Sequence, residues 1–194
     1  MIMRNRLAVA ALLLALAQIG FLSGIIQGRA AILRDGQEIL LKLEPVDPRD
    51  LLRGDYVRLG YEISNVPVAL LADIPEGAIS TEAGDIYVRL KKQDDGYWRA
   101  VGASLYRPED NPPAAGEIDL RGTISSGWSL EPTASIGVDY GMERYYLPEG
   151  EGLAIEKDMR VRPFGILAAV GSEGAPQIKA LMDGETMLFE EPLY

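Results

Sequence analysis

A chain of 194 residues, 47% apolar and 25% charged, holds one ordinary domain plus an anchor and is too short for two full domains. It has no cysteine and no histidine, which excludes thiol enzymes, His-based triads, the usual zinc sites and disulfides. Its formal charge of -10 becomes -12 once Arg4 and Arg6 ahead of the apolar segment are set aside, so nucleic acid and anionic lipid surfaces are poor partners for the remainder.

Leu7–Ile26 is an uncharged run. At about 1.5 Å per residue it spans roughly 30 Å, the thickness of a bilayer's hydrocarbon core. It has no polar face, and Ile25-Ile26-Gln27-Gly28-Arg29 is a poor cleavage site, so the segment reads as an uncut anchor rather than a signal peptide or a core helix. Arg4, Arg6 and the α-amino group precede it, whereas Arg29, Arg34 and Asp35 follow, which places the N-terminus in the cytoplasm and the rest outside. Residues 1–29 are therefore expected to be a transmembrane anchor and 30–194 a single extracytoplasmic domain.

Ala30–Leu43 is expected to leave the membrane and become a strand, with Ile39, Leu41 and Leu43 on one face. In Pro45–Ile63, Asp47 is a candidate N-cap, Pro48 suits the first helical position and Asp50 the acidic first turn. Gly54 can take the positive φ that stops the turn. From Tyr56 the period becomes two, with Val57, Leu59, Tyr61 and Ile63 opposite Tyr56, Arg58, Gly60 and Glu62. Val68–Leu71 reads as a brief helix or a packed loop.

Asp95-Gly96 signals a hairpin between Ile86–Lys91 and Tyr97–Leu105, and Arg107–Gly116 is a polar proline-rich loop that must be exposed. Glu117–Ser125 alternates as a third strand of that sheet, while Ser126–Gly137 has no assignable period. Gly150–Met159 suits a two-turn helix entered from Pro148-Glu149. Arg160–Val170, Gln177–Met182 and Glu185–Glu190 form a meander with turns at Gly171–Gly174 and Asp183-Gly184. The fold expected is mainly β, or α+β, as one antiparallel domain with one or two short helices.

Gly54-Asp55-Tyr56, Leu59 and Tyr61 match the signature that names the GDYxxLxY family of bacterial membrane-anchored proteins, and Gly141–Gly150 is similar to a block late in that family's domain. The resemblance covers most of the chain beyond the anchor. It implies a bacterial inner-membrane protein with a periplasmic domain, a multi-pass membrane protein as neighbour, and no established activity. It also makes Asp55, Tyr56, Tyr61, Glu143, Arg144, Tyr145 and Glu149 the candidate binding residues.

The residues themselves leave two readings open. Asp55 either fixes the turn before the strand or joins Glu143 and Arg144 in a binding or catalytic cluster. The tyrosines at 56, 61, 140, 145 and 146 either fill the core or line a groove between the two blocks. Asp47, Asp50 and Asp55 lack EF-hand spacing, and no cofactor is called for. Leu52–Val57 also looks like the strand start of type I signal peptidases, but no serine precedes it and no lysine sits in the context of a Ser–Lys base. The function expected is a binding or assembly module, tethered to the bilayer through Leu7–Ile26. The alternative is an envelope hydrolase using Asp, Glu and Tyr side chains in a cleft between Gly54–Tyr61 and Glu143–Glu149.

Overall fold

In the computed structural model, Ile2–Asp35 form one unbroken α-helix, α1. The structure describes residues 2–44, 56–72, 84–125, 131, 133–147, 155, 158–159 and 161–192, with only the backbone of 2–8 and 56. At 34 residues the helix is roughly 51 Å long, well beyond a bilayer's hydrocarbon core. Its Val9–Asp35 portion is long and apolar enough to cross a membrane, and side chains such as Leu13, Leu16 and Phe21 stand clear of the body. This is a single-pass anchor by length and composition.

The helix does not give way to a strand at Ala30, as the sequence suggests, but continues to Asp35. Its last turns find apolar partners: Ala30 and Leu33 are buried where the foot of α1 lies against β10 (Phe164–Val170) and β11 (Pro176–Asp183). Gly36 ends it by donating its N–H to the Ile32 carbonyl at 2.9 Å. A Cβ on Gly36 would meet the Ile32 carbonyl oxygen at 2.4 Å and the Val170 backbone at 3.0 Å. The opposing Gly171 is close as well, its Cβ position lying 3.0 Å from Ile32 Cγ1. Helix and body therefore meet in a packed joint with no slack chain between them.

The body is antiparallel β. Gln37–Glu44 (β1) pairs with β10 on one side and with the short β3 (Gly60–Tyr61) on the other, and β11 leads to the edge strand β12 (Thr186–Glu190). This gives a first sheet in the order β12-β11-β10-β1-β3. The second sheet runs β4 (Asn65–Pro67), β8 (Ser135–Asp139), β7 (Glu117–Ile124), β5 (Asp85–Lys92), β6 (Trp98–Ser104). Tyr56–Arg58 (β2) and Arg144–Tyr146 (β9) make a third, two-stranded ladder.

Alternation fills the space between sheets. Ile39, Leu41 and Leu43 of β1 share one core with Ile86, Val88 and Leu90 of β5, Leu120 of β7, Ile136 and Val138 of β8, and Ile166 of β10. β10 is buried on both faces, because α1 covers the side turned away from that core. The two large sheets are also tied at the turn after β10, where the Arg121 N–H donates to the Gly174 carbonyl at 2.8 Å.

Gly96 (φ 84°) and Gly184 (φ 59°) form the tight turns expected after Asp95 and Asp183. The strand expected from Tyr56 to Ile63 is instead broken at Leu59 and shared between ladders, ending in a 3-10 turn at Glu62–Ser64. Its inward face survives the break, with Val57, Leu59, Tyr61 and Ile63 all buried. Val68–Leu70 is a 3-10 turn, and the unassigned stretch before Gly137 contributes part of β8. Ile155, Asp158 and Met159 are helical, while the rest of the expected Gly150–Met159 helix lies outside the described residues. So does the turn expected at Pro45–Asp55.

Candidate functional site

The two blocks singled out in the sequence lie side by side. In the β2–β9 ladder Tyr56 faces Tyr146, Val57 faces Tyr145 and Arg58 faces Arg144, and the Leu59 N–H extends the pairing to the Glu143 carbonyl at 2.9 Å. Side chains alternate across this ladder: Val57 and Tyr145 turn into the core, whereas Arg58, Arg144 and Tyr146 turn to solvent.

Beyond the ladder, two phenols bind the blocks crosswise. Tyr61 pairs with Leu43 in the first sheet, which sinks its ring to 1% exposure, and its hydroxyl donates to the Met142 carbonyl at 2.6 Å. In the other direction the buried Tyr140 hydroxyl donates to the Ile63 carbonyl at 2.8 Å. Between them, the Glu143 carboxylate accepts the Tyr140 N–H at 2.5 Å, closing a turn in which Gly141 takes φ 76°. Each phenol satisfies a carbonyl that burial would otherwise leave unpaired.

Burial sets the chemistry of these groups. It raises the Tyr61 and Tyr140 pKa values well above the ordinary phenol, and the nearby Glu143 charge raises both further. Burial, with help from Glu191 and Glu190, pushes Tyr145 up to about 12. Neutral phenols committed to backbone carbonyls supply neither a base nor a nucleophile. Tyr61, Tyr140 and Tyr145 thus fill the core rather than line a groove, and Glu143 braces a turn. Asp55 and Glu149 lie outside the described residues, as do Asp47 and Asp50, and Tyr56 is described only as a backbone partner of Tyr146.

A raised phenol pKa fixes the sign of an alkaline response. An unfolded tyrosine ionises near pH 10, so the neutral folded form of Tyr145 contributes fully below that pH and loses its contribution as pH rises through 10 toward 12. Urea midpoints are expected to fall between pH 9.5 and 11, and Tyr145→Phe to flatten that fall. Equal slopes in the two proteins would remove Tyr145 as its source.

Two open clefts lie elsewhere. A cleft of about 840 Å³ sits at the foot of α1, between Ala31, Ile32 and Asp35 on the helix, Pro112 and Pro113 of the proline-rich loop, and the turn at Gly171–Gly174. A second, of about 370 Å³, adjoins it over Tyr87, Arg89, Ser104 and Tyr106. Tyr87, Arg107, Pro108, Glu109 and Asp119 belong to both. Arg107 bridges the boundary, donating to Glu173 Oε2 at 3.0 Å and to the Ser172 carbonyl at 3.3 Å. Arg89 forks onto Asp119 at 2.7 and 2.9 Å and holds the Asn111 carbonyl at 2.5 Å, pinning the loop down. The proline-rich composition of that loop was the one sequence signal near either cleft; the other walls come from segments far apart in the chain.

The profile of the GDYXXLXY protein family matches residues 18–181. The chain belongs to this family. No curated protein and no solved structure matches it. In this GDYXXLXY protein the last two signature positions, Leu59 and Tyr61, are both buried, and Tyr56 is held in the β2–β9 ladder, so the described part of the signature builds the body. The family profile begins inside α1 and ends in β11, spanning the joint, the second large sheet and all of the first but β12 and the end of β11.

Proposed function

We propose that this GDYXXLXY protein is a binding or assembly module for a neighbouring membrane protein or envelope component, anchored by residues 1–29, with residues 30–194 forming an extracytoplasmic body. The observation that supports it is the joint. Here α1 passes straight into the body, and buried Ala30 and Leu33 and close-packed Gly36 and Gly171 fix its seat. A body held in one attitude to the bilayer suits a partner held in the same bilayer. The hydrolase reading has less support, since the phenols and Glu143 between the blocks are engaged in backbone bonds.

Arg4 and Arg6 ahead of the span support a cytoplasmic N-terminus. C-terminal fusions in a Gram-negative host test the side: alkaline phosphatase is expected active and green fluorescent protein dark, and the reverse pattern moves the body into the cytoplasm. The module reading is tested by purification from mild detergent of the native chain and of one with Leu7–Ile26 replaced by an unrelated apolar span. A defined membrane partner is expected with the native chain; none with either form overturns the reading.

A further inference from the structure

We propose that the two adjoining clefts at the foot of α1 form one groove that binds an extended polypeptide segment carrying Lys or Arg. This rests on the binding-module reading and names its site and the chemistry of its ligand. The first argument is size. Two cavities of about 840 and 370 Å³ that adjoin through Tyr87, Arg107 and Pro108 offer room in succession for several residues of a chain, more than a compact ligand needs.

The second is preorganisation. Pro108, Pro112 and Pro113 restrict φ in the loop, and the Arg89 fork to Asp119 with its bond to the Asn111 carbonyl ties that loop to β5 and β7. An aromatic and proline wall already in place costs an extended ligand little ordering. Ser104 adds a polar contact inside. It is 8% exposed and its Oγ accepts the Tyr106 N–H at 3.2 Å, but among the described residues its own O–H has no acceptor, so a peptide carbonyl can take it.

Charge decides the kind of peptide. Asp35, Glu109, Asp110, Asp119 and Glu173 line the groove against two guanidiniums, Arg89 and Arg107. Both guanidiniums are already paired, with Asp119 and Glu173. Asp35 and Asp110 have no ion pair among the described residues, and Glu109 acts on Arg107 through its charge without pairing to it. The groove therefore draws cations and repels phosphate headgroups. Its helix wall, Ala31 to Asp35, lies roughly 8–14 Å along α1 from the apolar edge at Ile26, at or just above the headgroup layer.

The test uses the full chain in phosphatidylcholine nanodiscs and the fluorescein-labelled peptide acetyl-(Lys-Pro-Ala)4-amide, with a Glu-for-Lys version as control, read by fluorescence anisotropy. Saturable binding of the Lys peptide is expected, at least tenfold tighter than the Glu peptide. Glu109→Lys with Asp110→Lys is expected to weaken it at least tenfold. Asp94→Lys with Glu185→Lys, which makes the same charge change at exposed positions lining neither cleft, is expected to leave it within twofold. Equal weakening by both pairs would show attraction to net charge alone and overturn the site. Displacement by spermidine or phosphoethanolamine as readily as by unlabelled Lys peptide would make it a small-cation or lipid-headgroup pocket and overturn the polypeptide assignment. Recovery of a membrane partner that survives Glu109→Lys with Asp110→Lys would sink this groove and leave the module reading standing.

Discussion

Tyr61→Ala is expected to destabilise the body by about 3–5 kcal/mol, the usual result of deleting a large buried ring whose site does not collapse. The ring is fully enclosed and sits where the first sheet, the β2–β9 ladder and the Met142 backbone converge. Tyr61→Phe isolates the hydroxyl: the ring stays, the Met142 carbonyl loses its donor, and about 1–3 kcal/mol is lost. Tyr140→Phe does the same to the Ile63 carbonyl. The two hydroxyls join the same pair of blocks in opposite directions, so the double Phe variant is expected to depart from additivity. Urea unfolding followed through tryptophan fluorescence, to which buried Trp98 contributes, measures the four variants against the parent. A midpoint for Tyr61→Ala unchanged from the parent would mean that the signature tyrosine does not hold the blocks together.

The second large effect lies at the joint. Gly36→Val places branched carbon where even a Cβ would stand 2.4 Å from the Ile32 carbonyl and 3.0 Å from Val170. Both neighbours are backbone and cannot swing aside, so relief from the Ile32 carbonyl has to come from unwinding the last turn of α1 and relief from Val170 from lifting the helix foot off β10. Overpacking of this kind costs about 1–3 kcal/mol, and the expected outcome is a body that still folds but no longer keeps one angle to its anchor. The cysteine-free chain makes the measurement clean: nitroxides at Leu22→Cys and Gln177→Cys report the distance distribution between span and body by pulsed electron resonance. A narrow distribution is expected for the parent and a broad one for Gly36→Val. Equal widths would show that the joint is not what holds the body.

Much of this architecture was legible because strands with one buried face declare themselves by alternation. Ile39, Leu41 and Leu43 face the core as read, Asp95-Gly96 and Asp183-Gly184 turn where expected, and Glu117–Ile124 takes its place beside β5. The last turns of α1 were misread because Arg29, Arg34 and Asp35 look like the end of a span, whereas the apolar pair Ala30 and Leu33 could be recognised as helical only against β10, which lies more than 130 residues away. The break at Leu59 was hidden for a related reason. Period two survives it, while the change of ladder partner from β9 to β1 depends on which distant strand arrives.

The candidate site was partly legible. The two tyrosine-rich blocks could be singled out from their residues, but that they meet is set by the β2–β9 pairing, and whether their rings make a wall or a core by the crosswise bonds to Met142 and Ile63, none of which spacing encodes. Of the clefts only the proline-rich loop was legible. Their walls come from a helix end, a loop and a turn, and Tyr87 and Glu173 look like ordinary strand and turn residues until the fold brings them together.

A continuous screw from bilayer to body also fixes a compass bearing. One residue added to α1 between Gln27 and Arg29 would swing everything above it by about 100° and raise it by about 1.5 Å, while four would bring it back to within about 40° of the heading and lift it by about 6 Å. Whatever meets this protein in the plane of the membrane therefore meets one particular flank of it, and a length polymorphism in those few positions would act as a rotation before it acted as a change of height.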